Sequence, residues 1–178
     1  MNIDFSSTYE ITEDDRVFID TNILIFLFSP DFVSSHDYQV DKYSTIYAIL
    51  LEKNCKLYVN SHVISEFINK CLRIDFDRNI QNEARTKLFK NDYRNTQRYR
   101  ETLSIVLREL KKFLDLNVFQ INDNFSNFQI FDEYNSNVES DFNDLVIARN
   151  VIDNRLKLLS DDRDFSNYDE INTNWYIS

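Results

Sequence analysis

Carboxylates stand at four places along the sequence where they could share one site: Asp20, Glu66, Asp144 and a corner at Asp162. Each place falls where a parallel α/β fold would bring it to the carboxyl edge of the sheet or to a helix start. Clustered carboxylates repel one another, and a cation that neutralises them through oxygen ligands is a hard ion such as Mg²⁺ or Mn²⁺. Such an ion lowers the pKa of a bound water and offsets charge on a phosphate, which is chemistry suited to phosphodiester hydrolysis.

Asp20 interrupts the longest apolar stretch, RVFIDTNILIFLF at residues 16–28. Residues 17–19 are β-branched or aromatic and predict a central parallel strand. Asp20, Thr21 and Asn22 break the run and supply N-cap chemistry for a helix that follows. Two interpretations of Asp20 stay open at this point: a helix cap only, or a ligand at the sheet edge.

Strand and helix patterns alternate along the rest of the chain. Strands are predicted at residues 56–60, 117–122, 156–160 and 175–177, and helices at residues 40–54, 61–74, 76–116 and 140–154. The third of these helical stretches should divide near residues 91–96, and residues 125–135 read as a short helix or loop. Ser61 and Ser140 are the expected caps of the helices that they begin. The alternation predicts an α/β fold with a parallel sheet covered by helices on both faces.

The composition limits the class of protein. A chain of 178 residues suits one domain, with an acidic N-terminal arm at residues 1–15 and a helical insertion or arm at residues 76–116. Glycine is absent, which excludes every Gly-rich phosphate loop and leaves tight turns to Asn and Asp. Cys55 and Cys71 lack metal-site surroundings and read as reduced thiols. With no secretory pattern and no apolar run of membrane length, we expect a cytoplasmic protein and no membrane span.

The charge is unevenly distributed around a net value of −10. Residues 70–112 hold twelve Lys or Arg and six Asp or Glu, whereas the rest of the chain has a net charge of −16. Basic and aromatic side chains alternate in this segment, so it can bind the phosphates and bases of a nucleic acid. A solvated helical arm, or one that pairs with the acidic body or a partner, is the alternative. The candidate nucleic-acid-binding residues are Arg73, Arg85, Lys87, Lys90, Arg94, Arg98 and Arg100.

Four motifs in order, VFIDTNILI, VISEFINK, NDLVIARNVI and KLLSDDRDF, resemble those of the PIN-domain nucleases, which include the VapC-like toxins of toxin–antitoxin pairs. The resemblance covers most of the chain. It implies a metal-dependent ribonuclease with a three-layer α/β/α fold around a parallel sheet of about five strands. It also implies an RNA substrate, a protein antitoxin as a possible partner, and a possible homodimer. The basic segment is longer than the corresponding region in compact family members. This difference counts against the toxin assignment more than against the nuclease assignment.

By the same resemblance, Asp20, Glu66, Asp144 and Asp162 would be the four catalytic acids. Of these, Asp20, Asp144 and Asp162 would be the metal ligands, with Mg²⁺ or Mn²⁺ as the ion.

Polar neighbours would position these acids and compete with some of them. Thr21 or Asn22, together with Ser160, would be the positioning residues. Asp141 could add a ligand beside Asp144 or could favour only the helix dipole. At the last corner Asp161, Asp162 and Asp164 compete for one role, and Asp164 is the nearest rival of Asp162.

Two other activities remain open from the sequence. An Asp after a first strand also suits an aspartyl phosphotransferase or phosphatase, although that chemistry would favour a second Asp where this chain has Asn22. A non-catalytic module with a PIN-like body, whose basic arm binds RNA or protein, is the third hypothesis.

Overall fold

The computed structural model describes residues 11–30, 37–80, 87–123, 126, 129, 131–132, 141–168, 171 and 176–177. The strands are β1 (Arg16–Ile19), β2 (Lys56–Val59), β3 (Val118–Gln120), β4 (Lys157–Leu159) and β5 (Tyr176–Ile177). The α-helices are α1 (Thr21–Phe28), α2 (Asp37–Glu52), α3 (Ser61–Asn79), α4 (Gln97–Leu114) and α5 (Phe142–Asp153). A π-helical turn lies at Phe89–Tyr93, and a 3-10 turn lies at Arg163–Asn167.

The strands form one sheet in the order β3-β2-β1-β4-β5, and every pair is parallel. Val17 lies opposite Leu57 on one side and Lys157 on the other. Strand β1 is therefore central, which is why Val17, Phe18 and Ile19 are almost fully buried. The α/β class and the parallel sheet are confirmed. The strand order reverses between β1 and β4, so this sheet has its switch point there.

Helices cover both faces of the sheet. The chain passes from β1 through β2 to β3 in one direction, then returns across β1 to β4 and β5. Right-handed connections therefore place α1 to α4 on one face and α5 on the other. The contacts agree, since α1 packs against α2, α3 and α4, whereas α5 packs against the 3-10 turn. This is the three-layer α/β/α arrangement that the family resemblance implied.

Three helix boundaries differ from the predictions. Asn60, and not Ser61, caps α3, because its Oδ1 accepts a hydrogen bond from the Val63 amide at 3.0 Å. Asp141 caps α5 in the same way, and Ser140 lies outside the described residues. Helix α3 also continues to Asn79, so no new helix begins at residue 76, and Leu88 is extended where a helix was predicted.

The start of α4 was placed correctly, because Thr96 accepts a hydrogen bond from the Tyr99 amide and begins the helix. Other predictions fall where the structure gives no description. Most of the loop at residues 125–135, residues 1–10 of the acidic arm, and Trp175 lie outside the described residues. The assignment of residues 76–116 as an insertion stays a prediction.

Two turns use left-handed backbone without glycine. Asn54, after α2, has φ of 56°, and Arg155, after α5, has φ of 51°. Asn tolerates this region because its short polar side chain bonds locally, so Asn54 fits the expectation that Asn and Asp replace glycine in turns. Arg155 does not fit it, since Asn154 beside it has a negative φ and caps α5. Among the described residues, no helix combines the length and the apolarity needed to cross a membrane.

A buried carboxylate joins α3 to α4. Asp75 is 1% exposed and accepts hydrogen bonds from Tyr93, Arg98 and Thr102. Burial alone would raise the pKa of Asp75, but the hydrogen bonds from Arg98, Tyr93 and Thr102 hold it below its ordinary value. Asp75 is therefore a charged group in the core whose partners fix the packing of the two helices.

We predict that Arg98→Gln lowers the free energy of unfolding by about 2 kcal/mol, because it leaves the buried charge of Asp75 with neutral partners only. Urea denaturation at pH 7 measures the change. Arg100→Gln is the matched control, since Arg100 is exposed on the same helix and its substitution should change stability by less than about 0.5 kcal/mol. Equal stability of the two variants would contradict the role of Asp75.

Candidate functional site

Asp20 lies at the carboxyl end of β1, next to β4. Its amide donates to the Leu159 carbonyl at 3.1 Å and so extends the pairing of the two strands. Its Oδ1 accepts from the Thr21 amide at 2.6 Å, and its Oδ2 accepts from the Ser160 hydroxyl at 2.6 Å. Asp20 caps α1 and also lines a cleft, so the two interpretations of this residue are compatible.

Burial raises the pKa of Asp20 to about 6. Hydrogen bonds from Ser160 and Thr21 act in the opposite direction, while the negative charge of Glu66 adds to the increase. The side chain is 6% exposed. Asp20 is thus a fixed carboxylate with a substantial protonated fraction near pH 6.

Ser160 holds the polar residues of β1 and β4 together. Its buried hydroxyl donates to Asp20 and accepts from the Asn22 Nδ2 at 3.1 Å and from the Asp162 amide at 3.0 Å. Asn22 also accepts from the Asp161 amide at 3.2 Å through its Oδ1. The structure therefore places Asn22 and Ser160 around Asp20, and their role as positioning residues stays a prediction.

Glu66 projects from α3 toward the same cleft. Its Oε2 accepts a hydrogen bond from the Thr21 hydroxyl at 2.9 Å, and its Oε1 lies 2.8 Å from the Lys70 Nζ. Thr21 thus links the two acids, because its amide donates to Asp20 and its hydroxyl donates to Glu66. Lys70 is a cation in a cleft whose other lining residues are acids, amides and the hydroxyl of Thr21, and its side chain is 54% exposed.

Asp144 lies in the first turn of α5. Its amide donates to the Asp141 Oδ1 at 3.0 Å, so Asp141 acts as the helix cap while also lining the cleft. Burial, and then the negative charges of Asp141, Asp162, Asp20 and Asp164, raise the pKa of Asp144 to about 7. Asp144 is therefore half-protonated near neutral pH in the absence of a cation.

The three acids after β4, Asp161, Asp162 and Asp164, make contacts in two different places. Asp161 accepts a hydrogen bond from the Tyr43 hydroxyl of α2. Asp162 and Asp164 line the cleft, and the Asp162 Oδ1 accepts from the Asp164 amide at 2.9 Å. Asp161 is thus engaged with α2, and both remaining candidates face Asp144.

The acids of this site described above, except Asp161, line one cleft of about 230 Å³. Asp144, Asp162 and Asp164 each offer one oxygen, and the three oxygens lie within 4.8 Å of one another. An all-carboxylate donor set of this kind suits Mg²⁺ or Mn²⁺. Asp20 and Glu66 line the same cleft. The residues present fit a hard divalent cation, and the assignment of each ligand stays a prediction.

The sequence interpretation missed two residues of the cleft, Lys70 and Asn143. The spacing of Lys70 from Glu66 is i,i+4, which places the two side chains together on a helix and could have identified it. Asn143 follows the cap of α5 and gave no comparable signal.

The predicted nucleic-acid-binding residues occupy different environments. The Arg73 guanidinium lies over the Phe89 ring at 4.6 Å, and Arg98 is paired with Asp75. Lys90, Arg94 and Arg100 are exposed. Lys87 is half-buried, and Arg85 lies outside the described residues. Contact of any of them with RNA stays a prediction.

The fold and the cleft define an α/β protein with a carboxylate site at the switch point of a parallel sheet. The PIN domain family model matches residues 17–171, and the chain belongs to the PIN domain family. A similar solved structure is described as the crystal structure of VapBC2 from Rickettsia felis bound to a DNA fragment from their promoter. The match covers 88% of this chain and 95% of that chain, with a TM-score of 0.55 and 16% identity, and it shows the shared fold. Comparison with curated proteins gives no match.

Without a divalent cation, stability should fall as pH rises from about 4 to 7. The pKa values of Asp20 and Asp144 are about 6 and 7 in the folded protein, against 3.8 for an ordinary Asp side chain. The folded state then binds more protons than the unfolded state in this window, so raising the pH favours unfolding. Over this pH range, we expect the free energy of unfolding of Asp144→Asn to fall by roughly 2 kcal/mol less than that of the wild type. Denaturation in EDTA from pH 4.5 to 8 tests this.

Asp153→Asn on the same helix is the control, because Asp153 is exposed and lies outside the cleft. It should leave the pH profile of the wild type unchanged. A profile of Asp144→Asn that matches the wild type would contradict the raised pKa.

Addition of Mn²⁺ should stabilise the protein, because a cation bound only by the folded state removes the repulsion among the carboxylates. At about one hundred times its dissociation constant, Mn²⁺ should raise Tm by about 5 to 10 °C. Differential scanning calorimetry at pH 7.5 measures this shift. It should disappear in Asp144→Asn and persist in Asp153→Asn, and an equal shift in both variants would locate the ion elsewhere.

Proposed function

We propose that the protein is a divalent-metal-dependent endoribonuclease that hydrolyses phosphodiester bonds at the carboxylate cleft. The observation that carries this proposal is the arrangement of Asp20, Glu66, Asp144 and Asp162 around one cleft, in a chain of the PIN domain family. The cleft lies at the switch point of a parallel sheet, which is where open α/β folds bind ligands.

The residues of the cleft would divide the parts of this reaction. Asp144 and Asp162, with Asp20 or Asp164, would hold the cation, and hydrogen bonds of Thr21, Asn22 and Ser160 fix the acids. The ion would lower the pKa of a water and offset charge on the phosphate. The water oxygen would attack phosphorus as the bond from phosphorus to the leaving oxygen breaks, and the proton that the water loses would pass to the leaving oxygen. Lys70, beside Glu66, can contact a phosphate oxygen at the edge of the cleft.

A nucleic acid is the proposed class of substrate because two cations, Lys70 and Arg73, lie beside an acidic cleft, and the family resemblance makes RNA the nucleic acid proposed. Arg73 lies one helical turn beyond Lys70 on α3, and both side chains are exposed. Exposed basic side chains attract a polyanion and position its backbone. The acids within the cleft then require a divalent ion before a phosphate can approach them. This combination supports a nucleic acid as substrate over a small neutral molecule.

An antitoxin partner, a homodimer and a toxin role are part of the same proposal. The similar solved structure is described as VapBC2, in complex with promoter DNA. By analogy we place this chain on the nuclease side of a toxin–antitoxin pair, acting on RNA in the cytoplasm.

The two other activities are less well supported. An aspartyl phosphotransferase needs an accessible nucleophile, whereas both oxygens of Asp20 accept hydrogen bonds and the residue is 6% exposed. A non-catalytic module would have no requirement for a complete acidic cleft, and here the acids remain together.

Removal of a cleft acid should abolish cleavage while the fold is retained. We expect Asp20→Asn and Asp144→Asn each to lower kcat/KM for a single-stranded RNA by at least about a hundredfold, because even outer partners of metal ligands contribute that much. Cleavage in Mg²⁺ or Mn²⁺, followed by gel electrophoresis of end-labelled RNA, measures the loss. Asp153→Asn is the matched control and should retain full activity. Full activity in both cleft variants would refute the nuclease.

A further inference from the structure

A second pocket of about 300 Å³ opens beside the carboxylate cleft and shares Asn22 and Lys70 with it. It lies between α1 and α3, which pack against each other. The apolar side chains Ile25, Phe26 and Ile74 line it. An open apolar pocket that continues from a polar catalytic cleft suggests that one ligand occupies both.

The pocket combines an apolar wall with cations at its rim. Ile74 and Phe26 are half-buried, while Lys70 and Arg73 are exposed. The Phe26 ring stacks on Tyr43, with ring centroids 5.5 Å apart and planes within 2° of each other, so the ring is held in place. A flat apolar ligand with an attached anion matches this arrangement. A purely apolar protein side chain would form no ionic contact with Lys70 or Arg73.

The position of the pocket fixes which part of a nucleic acid could enter it. Asn22 lies at the cleft, and Phe26 follows it by one turn of α1, which is roughly 5.4 Å along the helix axis. On α3, Ile74 follows Lys70 by the same interval. The pocket is therefore within one nucleotide of a phosphate held in the cleft. Its volume is at the small end for ligand sites, which suits one flat ring system.

We propose that this pocket binds one unpaired nucleobase of the RNA substrate, next to the scissile phosphate. This inference rests on the proposed nuclease function and adds a requirement to it. A base inside the pocket cannot be stacked or paired in a duplex, so the substrate is single-stranded at this nucleotide. Asp77, the acid in the lining, offers an acceptor for the N–H groups of a base edge.

The test uses two end-labelled RNA octamers in Ca²⁺, with binding followed by fluorescence anisotropy. One octamer is abasic at every position, and the other is identical except for a single 2-aminopurine. The protein can place that one base in the pocket by sliding along the strand, so no knowledge of the cleavage site is needed. We expect the wild type to bind the octamer with one base roughly tenfold more tightly, as for one base in contact with an aromatic side chain.

Ile74→Trp fills the pocket and should reduce this preference to less than twofold. Leu107→Trp is the matched control, because Leu107 is 46% exposed on α4 and lies outside the pocket lining. It should retain the tenfold preference. Ile74→Ser, which shortens the side chain and cannot clash, is the second pocket variant and should reduce the preference at least threefold. Arg73→Gln should weaken the binding of both octamers and leave their ratio unchanged, since it removes a phosphate contact.

Failure of the base pocket and failure of the nuclease give different results. A wild type that cleaves RNA in Mn²⁺ but binds the two octamers equally overturns the base pocket alone. Retention of the tenfold preference in both Ile74 variants also overturns it, because the base would then bind elsewhere. So does a wild type that binds neither octamer, even if an apolar peptide binds in the pocket. Discrimination between the octamers without cleavage of any RNA contradicts the nuclease and supports the base pocket.

Discussion

The hydrogen bond from the Ser160 hydroxyl to Asp20 joins the ends of β1 and β4 at the point where the strand order reverses. The same hydroxyl accepts from Asn22 and from the Asp162 amide, so one buried oxygen sets the positions of both acidic corners. Without it, the buried Asp20 would lose its strongest opposing influence on a pKa already raised to about 6. The geometry of the cleft therefore depends on a buried serine hydroxyl.

The described residues that line the cleft include six acids and one cation, Lys70, which pairs with Glu66, so the cleft keeps an excess of negative charge. Asp144 has a pKa near 7 because Asp141, Asp162, Asp20 and Asp164 add to the effect of its burial. Such repulsion is unfavourable for folding but favourable for binding a hard cation, and perturbed carboxyl groups in a cleft are typical of functional sites. Asp75 differs from Asp144, because it is fully buried and has its own guanidinium, phenol and hydroxyl partners.

Most of the fold could be predicted from local sequence patterns. Each strand is an apolar run that ends in a polar corner, and such a pattern can be recognised without knowledge of tertiary contacts. The sequence could not decide between Asp161 and Asp162, because the decision depends on Tyr43, which lies 118 residues away from Asp161 along the chain. It also misassigned the cap of α3 by one residue, since Asn60 and Ser61 are both good caps and only the backbone at the end of β2 distinguishes them. The sequence interpretation placed Lys70 in the basic segment at residues 70–112, whereas in the structure Lys70 lines the carboxylate cleft.

The proposed nuclease activity requires that Asp144 and Asp162, with Asp20 or Asp164, hold one cation at the ends of β1 and β4. Crystals soaked in millimolar Mn²⁺ and measured near the manganese absorption edge test this most directly, because anomalous scattering locates the ion without assumptions about activity. We expect a peak within coordination distance of Asp144 and of Asp162 or Asp164, at the carboxyl edge of the sheet. A peak only outside the cleft, or no peak while the cleft stays open to solvent, would contradict cation binding by these acids.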